Sequence, residues 1–474
     1  MTAAADTGVD LASLQARLAA APDAELLRPI GLRWVVAGED ALAALPGIGG
    51  ELFGPVPAPV ALLVDATPMW RGPDDLKAVV RDLLAGPGWQ VRLVQAGSAT
   101  GRVYADEATL LAAREAVRGT RGIVTVGSGT LADIGKDVAE AVGLPHVIVQ
   151  SAASVNGFAD SQSVLLRNGV KRTVGTRWPD ALLLDAQALA SAPAPLNRAG
   201  LGDLLSMFTA PADWYLAHAV GLDDSYAPTA VALGRELGDD LLALAPALRD
   251  NEPAAVVRLA EILTVSGISM GVADRTAPSS GMEHTISHLL EMAATARRRP
   301  TALHGATVGV ATVIAALTWR HVRDHIARVG LRRWFPTPAQ MRERIHTAFD
   351  RLDPSGVTAD ECWADYSRKL ARWHTGKDAV ERLTARWTEH QFALGQLLGD
   401  PARIVEALRA AGAPVRFAEL DPPVDPALAR WAITNCHLMR DRFTVADLGW
   451  FLGAWDHDGV AAVLAAAAEL GAGL

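Results

Sequence analysis

The stretch Gly122-Ile-Val-Thr-Val-Gly-Ser-Gly-Thr-Leu-Ala-Asp-Ile-Gly-Lys136 decides the fold of the amino-terminal half. Gly122 to Val126 is a short β-branched run, and Gly127 to Gly129 make a tight turn that runs into a helical pattern. Backbone amides at such a helix start can hold a pyrophosphate, and glycine lets the phosphate approach without a Cβ in the way. The turn is neither GxGxxG nor a Walker loop, because no Ser or Thr follows Gly135-Lys136. On pattern alone, a phosphate cradle and a plain strand-to-helix turn both remain open.

Similar runs lie on either side: Pro59-Val-Ala-Leu-Leu-Val-Asp65, Gln90-Val-Arg-Leu-Val-Gln95, His146-Val-Ile-Val-Gln150 and Ala181-Leu-Leu-Leu-Asp185. Short apolar runs bounded by Gly, Pro or Asp, with helical stretches between them, predict a parallel sheet covered on both faces. Such sheets bind ligands beyond the carboxyl ends of their strands, so the residues after each run are where chemistry belongs. Asp65 ends its strand. Its carboxylate there is suited to the hydroxyls of an adenosine ribose and repels a 2′-phosphate, favouring NAD over NADP, although aspartate also opens turns for local reasons. The turn Gln150-Ser-Ala-Ala-Ser-Val-Asn-Gly-Phe-Ala-Asp160 is small and hydroxyl-rich, and its Asn156 and Asp160 offer groups for polyol hydroxyls. Lys171-Arg172 is positioned on a strand pattern where it can meet a substrate phosphate or simply be solvated.

Around Ser191-Ala-Pro-Ala-Pro195 the strand signals stop, and from Asn197 onward the pattern has the 3.6-residue period of helices. The predicted division is an α/β domain over residues 1–190, its first 25 residues a frayed tail or a loosely docked helix, and an all-α domain over 191–474. Three helical-half segments carry metal-ligand chemistry: Gly-Leu-Gly-Asp at 200–203, Glu-His-Thr-Ile-Ser-His at 283–288 and Leu-His-Gly at 303–305. The candidate ligands are Asp203, His284 and His304, a carboxylate and two imidazoles suited to one divalent Zn, Fe or Ni ion with positions left open for substrate. A helix is predicted between 280 and 297, opened by a capping box from Ser280 to Glu283 and closed before Pro300. His284 and His288 then share one face. Histidines four apart are common in cores and on surfaces, so spacing does not decide; the gathering of three of the twelve histidines between 284 and 304 favours the metal.

Composition narrows the classes. A formal charge of -9 argues against a nucleic-acid binder. Two cysteines, Cys362 and Cys436, indicate neither a disulfide framework nor a thiolate zinc site, and fit a reducing cytoplasm. The apolar windows near 304–318 and after Gly459 read as buried helices, so no membrane span is expected. Eight of the thirteen tryptophans lie beyond residue 300, including Trp363, Trp373 and Trp387 in helical stretches, and are assigned to packing.

Taken jointly, Gly127-Ser-Gly-Thr with Asp133, Ser-Ala-Ala-Ser-Val-Asn-Gly (151–157), Asn-Gly-Val-Lys-Arg-Thr-Val (168–174), Gly-Leu-Gly-Asp-Leu-Leu (200–205), Gly-Met-Glu-His-Thr-Ile-Ser-His (281–288), Leu-His-Gly (303–305) and Met-Arg-Asp-Arg-Phe-Thr (439–444) carry a resemblance. The chain resembles the iron-containing alcohol dehydrogenase and dehydroquinate synthase-like superfamily from about residue 55 to 455, and within it most closely the sn-glycerol-1-phosphate dehydrogenases. That resemblance implies a Rossmann-like nucleotide-binding domain, a helical domain and an active site in the cleft between them. It matches Asp203, His284 and His304 to the metal ligands, lays Gly127, Ser128, Gly129, Thr130 and Asp133 along NAD(P), and sets Ser151 and Ser154 near its phosphates or nicotinamide. His288 matches a position that either supports the metal ligands from behind or handles a proton. Where the glycerol-1-phosphate dehydrogenases tend to carry an aspartate that touches substrate, this chain has Asn156, an amide that donates as well as accepts.

The expected reaction interconverts a ketone and a secondary alcohol on a small phosphorylated or polyhydroxylated substrate, with NAD(H) favoured and NADP(H) possible. His288 carries the proton, while Asn156 and Lys171 meet the substrate; the expected assembly is a homo-oligomer. A dehydroquinate synthase-like lyase that uses NAD only transiently shares the same metal and glycine turn and is the alternative. Net formation of reduced nicotinamide separates the two.

Overall fold

The computed structural model describes residues 8–97, 103–167, 170–330 and 335–474, and at 167, 170, 171 and 384 the backbone alone. The chain forms two compact units, one of residues up to Leu204 together with Ala232–Arg275, the other of Leu205–Val231 with Thr276–Leu474. Near the chain start, α1 (Leu11–Ala19) is capped by Asp10, whose carboxylate accepts from Ser13 N.

The first unit is built on a parallel sheet of β1 (Trp34–Gly38), β2 (Pro59–Val64), β3 (Gln90–Gln95), β4 (Ile123–Gly127), β5 (His146–Gln150) and β8 (Ala181–Asp185). Five of these are the apolar runs read from the sequence; β1, beside β8 at one edge, is an addition. A separate antiparallel hairpin, β6 (Gln162–Arg167) with β7 (Val170–Gly175), carries the Lys171-Arg172 pair. Side chains alternate across the sheet as the pleat requires. Val60, Leu62, Val64, Val124 and Val126 face one core, completed by Leu45, Ile48 and Phe53 of α2 (Leu45–Phe53) and Leu76, Val80 and Leu84 of α3 (Leu76–Ala85). Ala61, Leu63 and Ile123 face another, completed by Leu131, Ile134 and Val138 of α4 (Gly129–Val142). Both faces are covered along the central strands, which is why those read as continuous apolar runs rather than alternating ones, whereas the edge strand β3 leaves Arg92 and Leu93 exposed.

Spatial order across the sheet is β1-β8-β5-β4-β2-β3. From β2 the chain runs outward to β3 and then returns to β4 on the other side of β2. The switch therefore falls between β2 and β4, and the crevice beyond their carboxyl ends is the binding position of open α/β sheets. Leu63 pairs with Thr125, so Asp65 and Gly127 stand level at that crevice. The turn after β5 docks in the same unit. Ala153 N donates to the fully buried Asn197 of α5 (Ala194–Leu204), and a Cβ on Gly200 of that helix would lie 2.0 Å from Ala153 O.

From Ala194 onward the described regular elements are helices. The first unit takes α7 (Pro253–Val272); this is the helix among the described residues long and apolar enough to cross a membrane, and 89% of its apolar window is buried inside the protein. The second unit contains α6 (Ala210–Ala219), α8 (Met282–Ala296), α9 (His304–Val329), α10 (Val357–Thr375) and α11 (Val445–Leu452). Trp373 of α10 stacks on Phe451 of α11 at 4.4 Å between ring centroids, the packing role expected of it.

One buried ion pair fixes the turn that follows β5. Lys136, on α4, has no solvent exposure and donates to Asp160 Oδ1 at 2.5 Å, to Gly157 O at 2.7 Å and to Gln162 O. Asp160 is thereby corrected from a polyol-binding candidate to the counter-charge of Lys136; its second neighbour on Oδ1 is Gln162 N. Lys136→Met strands a buried carboxylate and is expected to cost about 3–5 kcal/mol of stability in urea unfolding, with Lys136→Met/Asp160→Leu recovering a large part of the loss.

Candidate active site

In the first unit the functional candidates gather at the strand ends. Gly127 closes β4, and a Cβ on it would lie 2.4 Å from the Leu131 side chain, so only glycine lets α4 start so close to the sheet. A Cβ on Gly129 would meet Val155 at 2.9 Å. Ser128 is the N-cap of α4 and makes no side-chain cap hydrogen bond, so the first amides of the helix lack the usual intramolecular acceptor. Thr130 is exposed at that helix start and Asp133 is half-buried one turn on. Ser151 N donates to Gly127 O at 3.0 Å, tying the third turn to the glycine turn, and Ser154 is buried in it. A strand end, an uncapped helix start and a glycine that excludes Cβ suit a dinucleotide phosphate.

Asp65 performs the local job that its position allows: its two oxygens accept from Thr67 N at 3.0 Å and Thr67 Oγ1 at 2.9 Å. Lys77 Nζ stands 4.0 Å from the carboxylate and donates to Asp65 O. Asn156 is buried, with Nδ2 donating to Ser266 Oγ at 3.1 Å and its backbone N donating to Asp203 Oδ2 at 3.1 Å. Asp203, buried in the last turn of α5, therefore holds the Asn156 turn. The Lys171 side chain lies outside the described residues.

In the second unit, the helix carrying His284 and His288 starts at Met282, not at the predicted capping box. Ser280 does not cap it, because its hydroxyl and carbonyl accept from the half-buried Arg442 of the 439–444 segment. Arg442 also donates to Thr276 Oγ1 at 2.6 Å. The N-terminal amide is capped from another helix: Asp213 of α6 accepts from Met282 N at 2.8 Å, and its other oxygen accepts from Val445 N, the first residue of α11, at 2.9 Å. Burial, then the charge on Glu283, pushes the Asp213 carboxyl well above its ordinary range.

His284 and His288 lie one turn apart on α8, and His304 opens α9; the ring centroids are 5.2 Å apart for His284–His304 and for His288–His304, and 6.1 Å for His284–His288. Buried carboxylates hold all three rings. Glu283 Oε1 accepts from His284 Nδ1 at 3.1 Å, and Glu283 Oε2 accepts from Thr209 Oγ1 at 2.8 Å. Glu291 accepts from His304 Nδ1 on Oε1 at 2.9 Å and from His288 Nδ1 on Oε2 at 3.3 Å. His288, Glu291 and His304 each offer a ligand atom, and these lie within 4.8 Å of one another. Imidazoles and carboxylates converging at this range are the donor set of a divalent transition metal. His146 shows the contrasting use of a buried ring: it pairs with Thr125 Oγ1 at 2.8 Å in the sheet, and burial, Lys136 and Arg177 push it down to about 3.

Sequence reasoning missed Glu291 and the imidazole-holding role of Glu283. The spacing His288–Glu291 was a usable signal, since residues three apart on a helix share a face.

The family described as iron-containing alcohol dehydrogenase matches residues 47–193. A glycerol-1-phosphate dehydrogenase (NAD(P)+) of Bacillus licheniformis is 31% identical over 357 residues, covering 74% of this chain and 73% of that protein. The protein of the same name from Bacillus velezensis is 30% identical over 345 residues, covering 73% and 74%. Among solved structures, a probable glycerol dehydrogenase from Sinorhizobium meliloti superposes with a TM-score of 0.57 at 15% identity, covering 94% of this chain and 99% of that one, a likeness of fold. The chain belongs to the iron-containing alcohol dehydrogenase family, on the branch that carries the glycerol-1-phosphate dehydrogenases. It is an enzyme, an oxidoreductase of the NAD(P)-dependent alcohol dehydrogenase class.

The Asp213 cap generates a prediction. Asp213→Ala leaves the buried Met282 and Val445 amides without acceptors, at about 1–3 kcal/mol each, in denaturant unfolding. Asp213→Asn keeps one accepting oxygen and is expected to lose about half as much.

Proposed function

We propose that the protein interconverts a ketone and a secondary alcohol on a small phosphorylated or polyhydroxylated substrate, with a nicotinamide dinucleotide as hydride partner. Dihydroxyacetone phosphate and sn-glycerol 1-phosphate are the first pair to test. The observation that carries this reading is the histidine cluster of α8 and α9 on its buried carboxylates, in a chain whose relatives are named as NAD(P)-linked dehydrogenases.

In this reading Asp203, His284 and His304 hold one divalent ion, Zn, Ni or Fe. Such an ion polarises a carbonyl oxygen and lowers the pKa of an alcohol, a contribution of several kcal/mol. Asp203 supplies one negative charge against the dication, and the two histidines bind it as neutral rings. His288 moves the proton: burial, then the positive charge of Arg440, holds it well below the ordinary imidazole range, so it is a neutral base. With its Nδ1 proton on Glu291, it accepts at Nε2. Asn156, whose Nδ2 is committed to Ser266, offers a substrate hydroxyl its carbonyl oxygen. Lys171 meets the substrate phosphate.

The dinucleotide lies along Gly127, Ser128, Gly129, Thr130 and Asp133, with Ser151 and Ser154 towards its phosphates or nicotinamide. Asp65 takes the adenosine ribose and selects NAD over NADP. The enzyme works as a homo-oligomer in the cytoplasm, where its two buried free thiols stay reduced.

The test follows the absorbance of reduced nicotinamide with dihydroxyacetone phosphate, glycerol phosphates and related polyol phosphates under defined Zn, Ni and Fe. Stoichiometric consumption on a ketone is expected; turnover without net change would mean a transient redox cycle and overturn the dehydrogenase reading. His284→Ala and Asp203→Asn are each expected to lose bound metal and turnover while dissociation constants for NAD stay within about twofold. Asp65→Ser is expected to raise the kcat/KM ratio of NADP to NAD by at least about tenfold, since repulsion of the 2′-phosphate is removed.

A further inference from the structure

We propose that Glu283 and Glu291 are positioning residues that set the tautomers of the three active-site histidines, fixing each proton on Nδ1 so that the lone pair sits on Nε2. The inference rests on the metal reading above and adds to it the groups that make His284 and His304 competent ligands. A neutral imidazole has one donor nitrogen and one acceptor nitrogen, and an ionised carboxylate can only accept. Glu283 lies against His284 Nδ1 at 3.1 Å, and Glu291 lies against His304 Nδ1 at 2.9 Å and His288 Nδ1 at 3.3 Å. In every case the nitrogen facing the carboxylate is Nδ1, so the proton belongs there. His304 Nδ1 is also 3.3 Å from Ser287 Oγ.

Glu291 does this for two rings at once, one on each oxygen, because it lies three residues beyond His288 on α8 while His304 enters from the start of α9. Both carboxylates are buried, Glu283 at 0% and Glu291 at 6% exposure, so water does not compete for the ring protons. Carboxylates behind a ligating histidine orient the ring and raise its basicity, and their loss typically weakens metal binding about 10–100-fold. Glu291 as a direct ligand, in the set His288, Glu291 and His304, is the rival arrangement.

Two readouts test the proposal. Histidine tautomers are read from two-bond proton–nitrogen correlations on the metal-free protein labelled with nitrogen-15 histidine. The Nδ1–H form is expected for all three rings, and Glu291→Gln, which turns one accepting oxygen into an NH2 group, is expected to convert His288 or His304 to the Nε2–H form. Wild-type rings in the Nε2–H form would overturn the proposal. The second readout is Zn(II) affinity of metal-free protein against a chromophoric chelator. Glu291→Gln and Glu283→Gln are each expected to bind one ion about 10–100-fold more weakly, with the visible bands of the saturated Co(II) form in their wild-type positions. Affinities within about threefold of wild type, or displaced Co(II) bands in Glu291→Gln, would overturn it. Wild-type affinity in His284→Ala instead sinks the metal reading, and the tautomer result stands apart from that failure.

Discussion

A buried backbone amide or carbonyl must find a partner, and in this protein the partners at the functional segments are buried charged or amide side chains. Lys136 takes Gly157 O and Gln162 O; Asn197 takes Ala153 N; Asp203 takes Asn156 N. In the second unit Asp213 takes the first amides of α8 and α11, and the buried Lys369 takes His437 O at 2.6 Å and Arg442 O at 2.9 Å while paired with Asp447. Each of these side chains is buried, so breaking its contact leaves a desolvated polar group in a turn or at a helix start.

The same economy of buried charge shapes the histidine cluster. Asp213, from one side, sets where α8 begins, and hence where His284 and His288 lie. Arg442 draws Ser280 away from the helix start, so Glu283 turns to Gly281 N, Thr209 and His284. Burial alone would raise the Glu283 carboxyl, but hydrogen bonds from His284 and the Gly281 amide hold it below its ordinary range. A ring held by an ionised, buried carboxylate has its orientation and its lone pair fixed before any substrate arrives, which is the preorganisation that Lewis-acid chemistry draws on.

The parallel sheet was legible because its central strands are buried on both faces and so are written as apolar runs; Pro59, Gln90, His146 and Ala181 each begin a strand where the pattern starts. The edge strand Trp34–Gly38 and the hairpin at 162–175 escaped, the second because its residues mix polar and apolar. His284, His288 and His304 stood out by type and proximity. Asp160 was misjudged because a carboxylate in a turn looks the same whether it faces solvent or a lysine twenty-four residues back. The capping box failed for a like reason, since the side chain that engages Ser280 comes from residue 442.

Sequence by itself determined what depends on neighbours along the chain: five of the six sheet strands, the glycine turn into a helix, the helical run after residue 194, and a helix face bearing His284 and His288. Tertiary structure alone decided what depends on residues far apart in sequence: that β2 and β4 flank the switch point, that Lys136 neutralises Asp160, and that Asp213 caps two helices. It also decided that Glu291 serves both His288 and His304. Periodicity encodes which face of an element is buried, but the partner of a buried charge is chosen by the fold, because low dielectric makes that pairing obligatory without specifying where along the chain it comes from.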